Sequence, residues 1–228
     1  RGYGGGTVKA LSLLREGIDW NFAGERVFGG GSFGNGSSMR IAPIGAFYYD
    51  KPDDLRKIAC ESSNITHAHP YGKEGAVLQA FAVAKAINSD PSEELDKQSF
   101  VSDMITFVSD EGKLYKAKLQ HIKELLEYVP DKAEVIDRLG NDSSAPNSVP
   151  TAIYSFISHS HDFEDSVSYA VSLGGDTDTI GAMTGAISGA YHGKSGIPQR
   201  WLNVLENGER GRGYIEMLAE KLWELKSL

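Results

Sequence analysis

The sequence predicts an all-α fold, and three observations predict it. Apolar residues recur at three- and four-residue spacing in one segment after another. No stretch alternates as a half-buried strand does, and residues that start and stop helices punctuate the segments. The clearest stripe is "GKEGAVLQAFAVAKAIN", where Ala76, Val77, Ala80, Phe81, Ala84 and Ile87 form one buried helix face. Similar patterns run through "DDLRKIACESSNITH", "LQHIKELLEYV", "SVPTAIYSFISHS", "FEDSVSYAVSLG" and "YIEMLAEKLWELK". Starts are marked by Asp53, Asp131 and Pro150, and stops by Gly72 and Gly140. The chain has 228 residues, enough for one good-sized core. With no repeat, low-complexity tract or long linker, a single domain over residues 1–228 is expected.

Composition narrows the partners. Hydrophobic residues make up 40% and charged residues 24%, the balance of an ordinary globular protein. The formal net charge of -8 argues against a broad nucleic-acid surface or a polybasic membrane face. A nucleotide ligand stays open, because backbone N–H groups can hold phosphate without lysines. Cys60 stands alone, which excludes an intramolecular disulfide and a thiolate zinc site. It favours a reducing compartment: cytoplasm, nucleus or mitochondrial matrix. No run approaches the roughly 18 apolar residues of a membrane span. The opening "RGYGGG" lacks the apolar core of a signal peptide. Because residue 1 is arginine, residues upstream are expected to be missing.

The stretch richest in chemistry is "GGDTDTIGAMTGAISGAYHG", Gly174 to Gly193. Gly174 and Gly175 allow a sharp turn, Asp176 stands where a helix should begin, and Asp178 and Thr179 fall in its first turn. Two readings remain open. Aspartate at a helix N-terminus can cap orphan N–H groups and suit the dipole. Two aspartates with a threonine exceed what a cap needs, and their oxygens suit Mg²⁺ or Mn²⁺. Behind them Gly181, Gly185, Gly189 and Gly193 recur on one face beside Ala182, Ala186 and Ala190. They predict a buried central helix with a groove for a close-packed backbone. Thr184, Ser188 and His192 interrupt its apolar run and argue against a membrane helix.

Two loops break the helical texture. "VFGGGSFGNGSSMR" lets backbone approach a ligand closely, with donors on Ser32 and Asn35 and a stacking aromatic in Phe33 or Phe28. It lacks the lysine of a phosphate-binding P-loop, and an ordinary loop would look the same. "LGNDSSAPNSVP" reads as a turn-rich connection between helices. His67 and His69, like His159 and His161, have alternating spacing without further ligands at a zinc interval. His67 reads instead as a ligand-facing or capping residue at a helix end. Cys60 lies within an apolar helix pattern, and no serine stands in a nucleophile-elbow context, so covalent catalysis has no support.

"SLGGDTDTIGAMTGAISGAYHG", followed by "IP", resembles the C-terminal signature of the ADP-ribosylglycohydrolase (ADP-ribosyl-acceptor hydrolase) family. "GGGSFGNGSSMR", "THAHPYGKEGAVLQA" and "SVPTAIYSF" look like its subgroup that hydrolyses ADP-ribosylserine and degrades poly(ADP-ribose). The resemblance spans nearly the whole chain and implies an all-α fold with two Mg²⁺ ions in a central cleft. By that resemblance Asp176, Asp178 and Thr179 are metal ligands; as catalytic residue, Asp176 is further expected, from its place beside the metal rather than from the resemblance, to help position the attacking water. Gly30, Gly31, Ser32, Phe33, Gly34, Asn35 and Gly36 match the segment that holds the diphosphate and distal ribose. His67 and, by counting, Ser143 match further substrate contacts. Phe33 stands where the subgroup has tyrosine, which keeps stacking and removes a phenolic hydrogen bond.

The resemblance implies ADP-ribosylated proteins and poly(ADP-ribose) as partners of a monomer that binds neither nucleic acid nor membrane directly. The family's Thr-Asp-Asp metal motif and acidic catalytic residue, carried in its N-terminal third, have no counterpart here. The chain is therefore expected to hold about half of the metal shell. The remainder is expected from a missing N-terminal part or a separate piece; loss of activity is the third possibility. Jellyfish J-crystallins resemble the same family, so a structural protein is the rival reading, with a non-hydrolysing ADP-ribose-binding protein between the two.

Overall fold

A computed structural model of the chain describes residues 3–227. Among the described residues thirteen α-helices follow one another: α1 Gly5–Arg15, α2 Trp20–Val27, α3 Ala42–Phe47, α4 Pro52–Asn64, α5 Pro70–Ile87, α6 Lys97–Phe107, α7 Lys113–Leu125, α8 Lys132–Leu139, α9 Ala145–Ser158, α10 Phe163–Ser172, α11 Thr177–His192, α12 Gln199–Val204 and α13 Arg212–Lys226. Among the described residues the only β pairing is an isolated antiparallel bridge, Gly34 to Ser144. The all-α expectation is met.

The core forms where α5, α9 and α11 meet. Most residues of α5 and nearly all of α9 are buried, so these helices bury far more than one stripe. Leu78, Met104, Leu119, Ile122, Ile153, Phe156, Ile180, Met183 and Ile187 share one cluster. Each such side chain contributes on the order of 2 kcal/mol by leaving water. A smaller cluster of Ile41, Leu55, Ala59, Val77 and Ala80 joins α5 to α4. The buried carboxylate of Glu74 is compensated by Arg56 at 3.1 Å and by the Ser109 backbone N–H and hydroxyl at 3.0 and 2.8 Å.

Helix α11 is fixed by the polar residues that interrupt its apolar run. Thr184 donates to the Ala152 carbonyl at 3.3 Å, Ser166 bonds Ser188 at 3.0 Å, and Gln79 donates to the Met183 carbonyl at 2.9 Å. Each buried polar group thus ties α11 to a different neighbour. The result is a rigid rod that presents residues 176–179 at its N-terminal end.

Four sequence expectations need correction. Pro150 does not start a helix: α9 begins at Ala145 with Pro146 in its first turn, and Pro150 lies inside. Gly72 does not stop one either, for it sits in the first turn of α5, where a Cβ would come 2.7 Å from the Ser32 carbonyl. Its small size admits the glycine-rich loop. The glycine face of α11 does receive a close-packed helix, α10, but the atoms nearest its glycines are the side chains of Val171, Val167 and Phe163 rather than main chain. Finally, "YIEMLAEKLWELK" is helical, but α13 lies on the periphery with no buried residue.

Candidate functional site

Three loops converge on the N-terminal end of α11. Residues 28–37, between α2 and α3, are joined to residues 140–145, which lead into α9, by two backbone bonds. Asn35 N–H donates to the Ser143 carbonyl and Ala145 N–H to the Phe33 carbonyl, each at 2.9 Å. Residues 140–144 are in turn joined to residues 174–176. There Asp176 N–H donates to the Asn141 carbonyl at 2.8 Å, and Asn141 Nδ2 donates to the Leu173 carbonyl at 3.0 Å. Gly175, at φ 70°, makes this approach possible, because a Cβ would overlap the Asn141 carbonyl. Lys118 braces the far side, donating to the Leu139 carbonyl at 2.5 Å and to Asn147 Oδ1.

The side chain of Asp176 decides between capping and a site. It stands at the N-cap of α11 and makes no capping bond. Its Oδ2 instead accepts from Asn35 Nδ2 at 2.6 Å, across 141 residues of sequence. Asp178 is exposed and accepts from the Thr179 backbone N–H at 2.8 Å and from its hydroxyl at 3.4 Å. That N–H, and next a hydrogen bond with the Asp176 carboxyl, hold the Asp178 carboxyl below the usual range. No lysine or arginine among the described residues pairs with either aspartate. Two interacting carboxylates without a cation, beside a threonine hydroxyl, form a donor set of the kind that Mg²⁺ prefers. The set is partial: no group of three or more His, Cys, Asp or Glu side chains suited to a metal occurs among the described residues.

His67 lies against the glycine-rich loop. A Cβ added at Gly36 would sit 2.8 Å from His67 Nε2, and one at Gly34 would sit 3.5 Å away. The other ring nitrogen, Nδ1, is 2.7 Å from the Thr66 hydroxyl, which accepts from Arg40 at 2.9 Å. Burial, and then the Arg40 charge, pull His67 down to about 4, so the ring is neutral near pH 7. It caps nothing. The cap of α5 is His69, which accepts from Tyr71 N–H at 3.1 Å.

The predicted residues therefore gather unevenly. Asp176, Asn35, Gly34, Gly36 and His67 come together, and Ser143 joins through its carbonyl rather than its hydroxyl. Ser32 accepts from Gly34 N–H within its own loop at 3.2 Å. Phe33 is exposed, edge-on to His69 at 5.3 Å, and with Phe28, Gly31, Ser32 and Gly34 it lines a recess of about 240 Å³. Gly30 turns the chain beside it at φ 94°. Larger cavities, of about 750 Å³ by Lys194 and Arg200 and about 580 Å³ beneath α13, are lined by neither aspartate. The second histidine pair is committed elsewhere. His159 stacks on Tyr169 at 4.1 Å and His161 pairs with Asp165 at 2.9 Å. Half-buried Cys60 has its thiol pushed up by burial, away from nucleophile chemistry. Sequence reasoning missed Arg40, Thr66, Asn141 and Lys118. Only Asn141, in the turn signal "LGND", offered a local clue.

Fold and site together define an all-helical protein that gathers a glycine-rich loop, a buried neutral histidine and a hard-oxygen cluster at the end of one rigid helix. A sequence profile described as ADP-ribosylglycohydrolase matches residues 1–228. The chain is 38% identical over 221 residues to the ADP-ribosylhydrolase ARH3 of Gallus gallus, covering 86% of this chain and 59% of that protein. It is 36% identical over 248 residues to the ADP-ribosylhydrolase ARH3 of Homo sapiens, covering 97% and 67% respectively. Among solved structures, an ADP-ribosylglycohydrolase-related protein complex superposes with a TM-score of 0.76 at 28% identity, over 98% of this chain and 69% of that one. The chain belongs to the ADP-ribosylglycohydrolase family, and it spans roughly three-fifths to two-thirds of the length of these relatives.

Proposed function

We propose that this chain carries the site of a Mg²⁺-dependent hydrolase that removes ADP-ribose from modified proteins, serine-linked mono-ADP-ribose included, and cleaves poly(ADP-ribose). Membership of the family and likeness to proteins named ADP-ribosylhydrolase support the reaction class. The observation that carries the site is the turn of the Asp176 carboxylate away from its helix and onto Asn35 of the glycine-rich loop. A cap would face the helix. This carboxylate faces the surface where ligand backbone contacts are available.

In this reading the loop from Gly30 to Gly36 cradles the diphosphate and distal ribose on backbone N–H groups other than those of Gly31, Gly34 and Asn35, which are bonded within the protein, and Phe33 and Phe28 flank the base. His67 and Ser143 border the same surface. Asp176, Asp178 and Thr179 would hold part of the shell of two Mg²⁺ ions. When bound, these supply charge that polarises the ribose hydroxyls and lowers the pKa of water. Asp176 orients the attacking water toward the anomeric carbon. The bond from that carbon to the acceptor oxygen breaks, the water oxygen replaces it, and a proton passes to the leaving oxygen.

The test is calorimetric titration with ADP-ribose in Mg²⁺ and then in EDTA, paired with release of ADP-ribose from a serine-modified peptide. Binding should weaken in EDTA, and Asp178→Ala should abolish Mg²⁺-dependent release. Undiminished turnover by that variant, or binding indifferent to EDTA, overturns the assignment.

A further inference from the structure

We propose that Arg40 and Thr66 are positioning residues that fix the tautomer of His67, so that Nε2 carries the ring proton and presents it to an oxygen acceptor of the ligand on the Gly34–Gly36 turn. The inference rests on the ligand site proposed above, but its first half is geometric.

A guanidinium can only donate. Arg40 Nη2 lies 2.9 Å from Thr66 Oγ1, so one lone pair of that hydroxyl is taken. Arg40 is itself held by the Gly36 and Ser62 carbonyls, each at 3.2 Å, which sets its direction. Thr66 is buried, and the one remaining hydrogen-bond contact of its hydroxyl among the described residues is His67 Nδ1 at 2.7 Å. If Nδ1 carried the proton, the threonine hydroxyl would receive two donors and leave its own proton unpaired in a buried place. Such an orphan donor costs about 1–3 kcal/mol. With Nδ1 as acceptor every proton has a partner, and a hydroxyl polarised by a cation is the better donor. The proton of the neutral ring then sits on Nε2.

Nε2 has no hydrogen-bond acceptor among the described residues. It points at the loop whose glycines leave it room: at Gly36 any side chain would press on it. The neutral state agrees with the lowered pKa of the ring, set by burial and by Arg40. A donor that is uncharged, fixed in direction and without a protein acceptor among the described residues selects an oxygen acceptor, a phosphate or ribose oxygen.

The experiment reads His67 ring ¹⁵N shifts at pH 7 in the full chain, assigned by loss of the signal in His67→Gln. Wild type should show an acceptor-type Nδ1 and a protonated Nε2. Thr66→Val keeps the shape and removes the hydroxyl; it should mix the tautomers and weaken ADP-ribose about tenfold, the worth of one hydrogen bond. Arg40→Met should act in the same direction, and Thr66→Ser should restore both readouts. Loss of affinity for ADP as well as ADP-ribose would assign the acceptor to the diphosphate; loss for ADP-ribose alone would assign it to the distal ribose. A protonated Nδ1 in wild type, or an unchanged signature in Thr66→Val, overturns the inference. The expected signature without ADP-ribose binding would leave the tautomer assigned and overturn the functional reading.

Discussion

In the loop between α2 and α3, Gly31 sits at φ 87° and a Cβ there would overlap the backbone of Ala68 and His69. Along α11, a Cβ on Gly185 or Gly189 would meet Val167 or Phe163 at 3.6 and 3.7 Å, ordinary contact distances. Both segments announce themselves in the sequence by glycine. In the loop, glycine is a condition of the architecture. Main chain must touch main chain so that the turn after α4 lies under the loop and brings His67 to Gly36. In the helix, glycine lowers helix stability by about 1 kcal/mol per residue relative to alanine. What it provides there is room for α10 side chains that already fit. Glycine content alone does not locate a site; what a Cβ would strike does.

The loop side of the comparison breaks most readily. Gly31→Ala combines a left-handed backbone with a main-chain collision, and it should destabilise the fold by about 3 kcal/mol or more. Chemical denaturation measures this, and ADP-ribose binding should vanish with it. A loss under about 1 kcal/mol would mean that the loop adapts, and the contrast with α11 would fail. The histidine beneath the loop gives the next effect. Its folded pKa, about 4, lies below the ordinary value of 6.5. As pH falls from 6.5 toward 4, the unfolded chain gains a proton that the folded chain refuses, so stability falls with acid. His67 should account for about 3 kcal/mol of that loss. His159 and His192, also lowered chiefly by burial, steepen the same limb. Denaturation midpoints across this range should show a shallower slope for His67→Gln; an unchanged slope would place the acid sensitivity in the other two.

The fold was legible because helix periodicity is local, and so was the aspartate cluster, because its residues are neighbours in sequence. What joins the cluster to the loop was not. The bond from Asn35 to Asp176 spans 141 residues, and nothing near either residue specifies the other. Arg40 and Thr66 escaped notice for the same reason: each is unremarkable alone, and they matter only as a chain ending on His67. Pro150 misled because proline suits a helix start, yet Pro146 fills that role one turn earlier. Gly72 misled in the opposite sense. It was read as a local stop, whereas its reason is the Ser32 carbonyl brought against it from 40 residues away.

The smallest effect tests the helix side. Gly185 is half-buried in the middle of α11, with negative φ and a neighbour at contact distance rather than in collision. Alanine there reduces the freedom of the unfolded chain and adds a methyl group against Val167. Gly185→Ala should therefore stabilise the protein by about 0.5–1 kcal/mol and leave ADP-ribose binding unchanged. Gly181 is tighter, with a Cβ expected 3.1 Å from Val171 Cγ2. Val171 is 46% exposed and has space to turn away, so Gly181→Ala should come out near neutral. Thermal midpoints of the two variants read the difference directly. If Gly185→Ala instead destabilised the fold on the scale of Gly31→Ala, the α10 side chains would be locked against the helix. Glycine would then be as obligatory in α11 as in the loop, and the distinction between room and requirement would be lost.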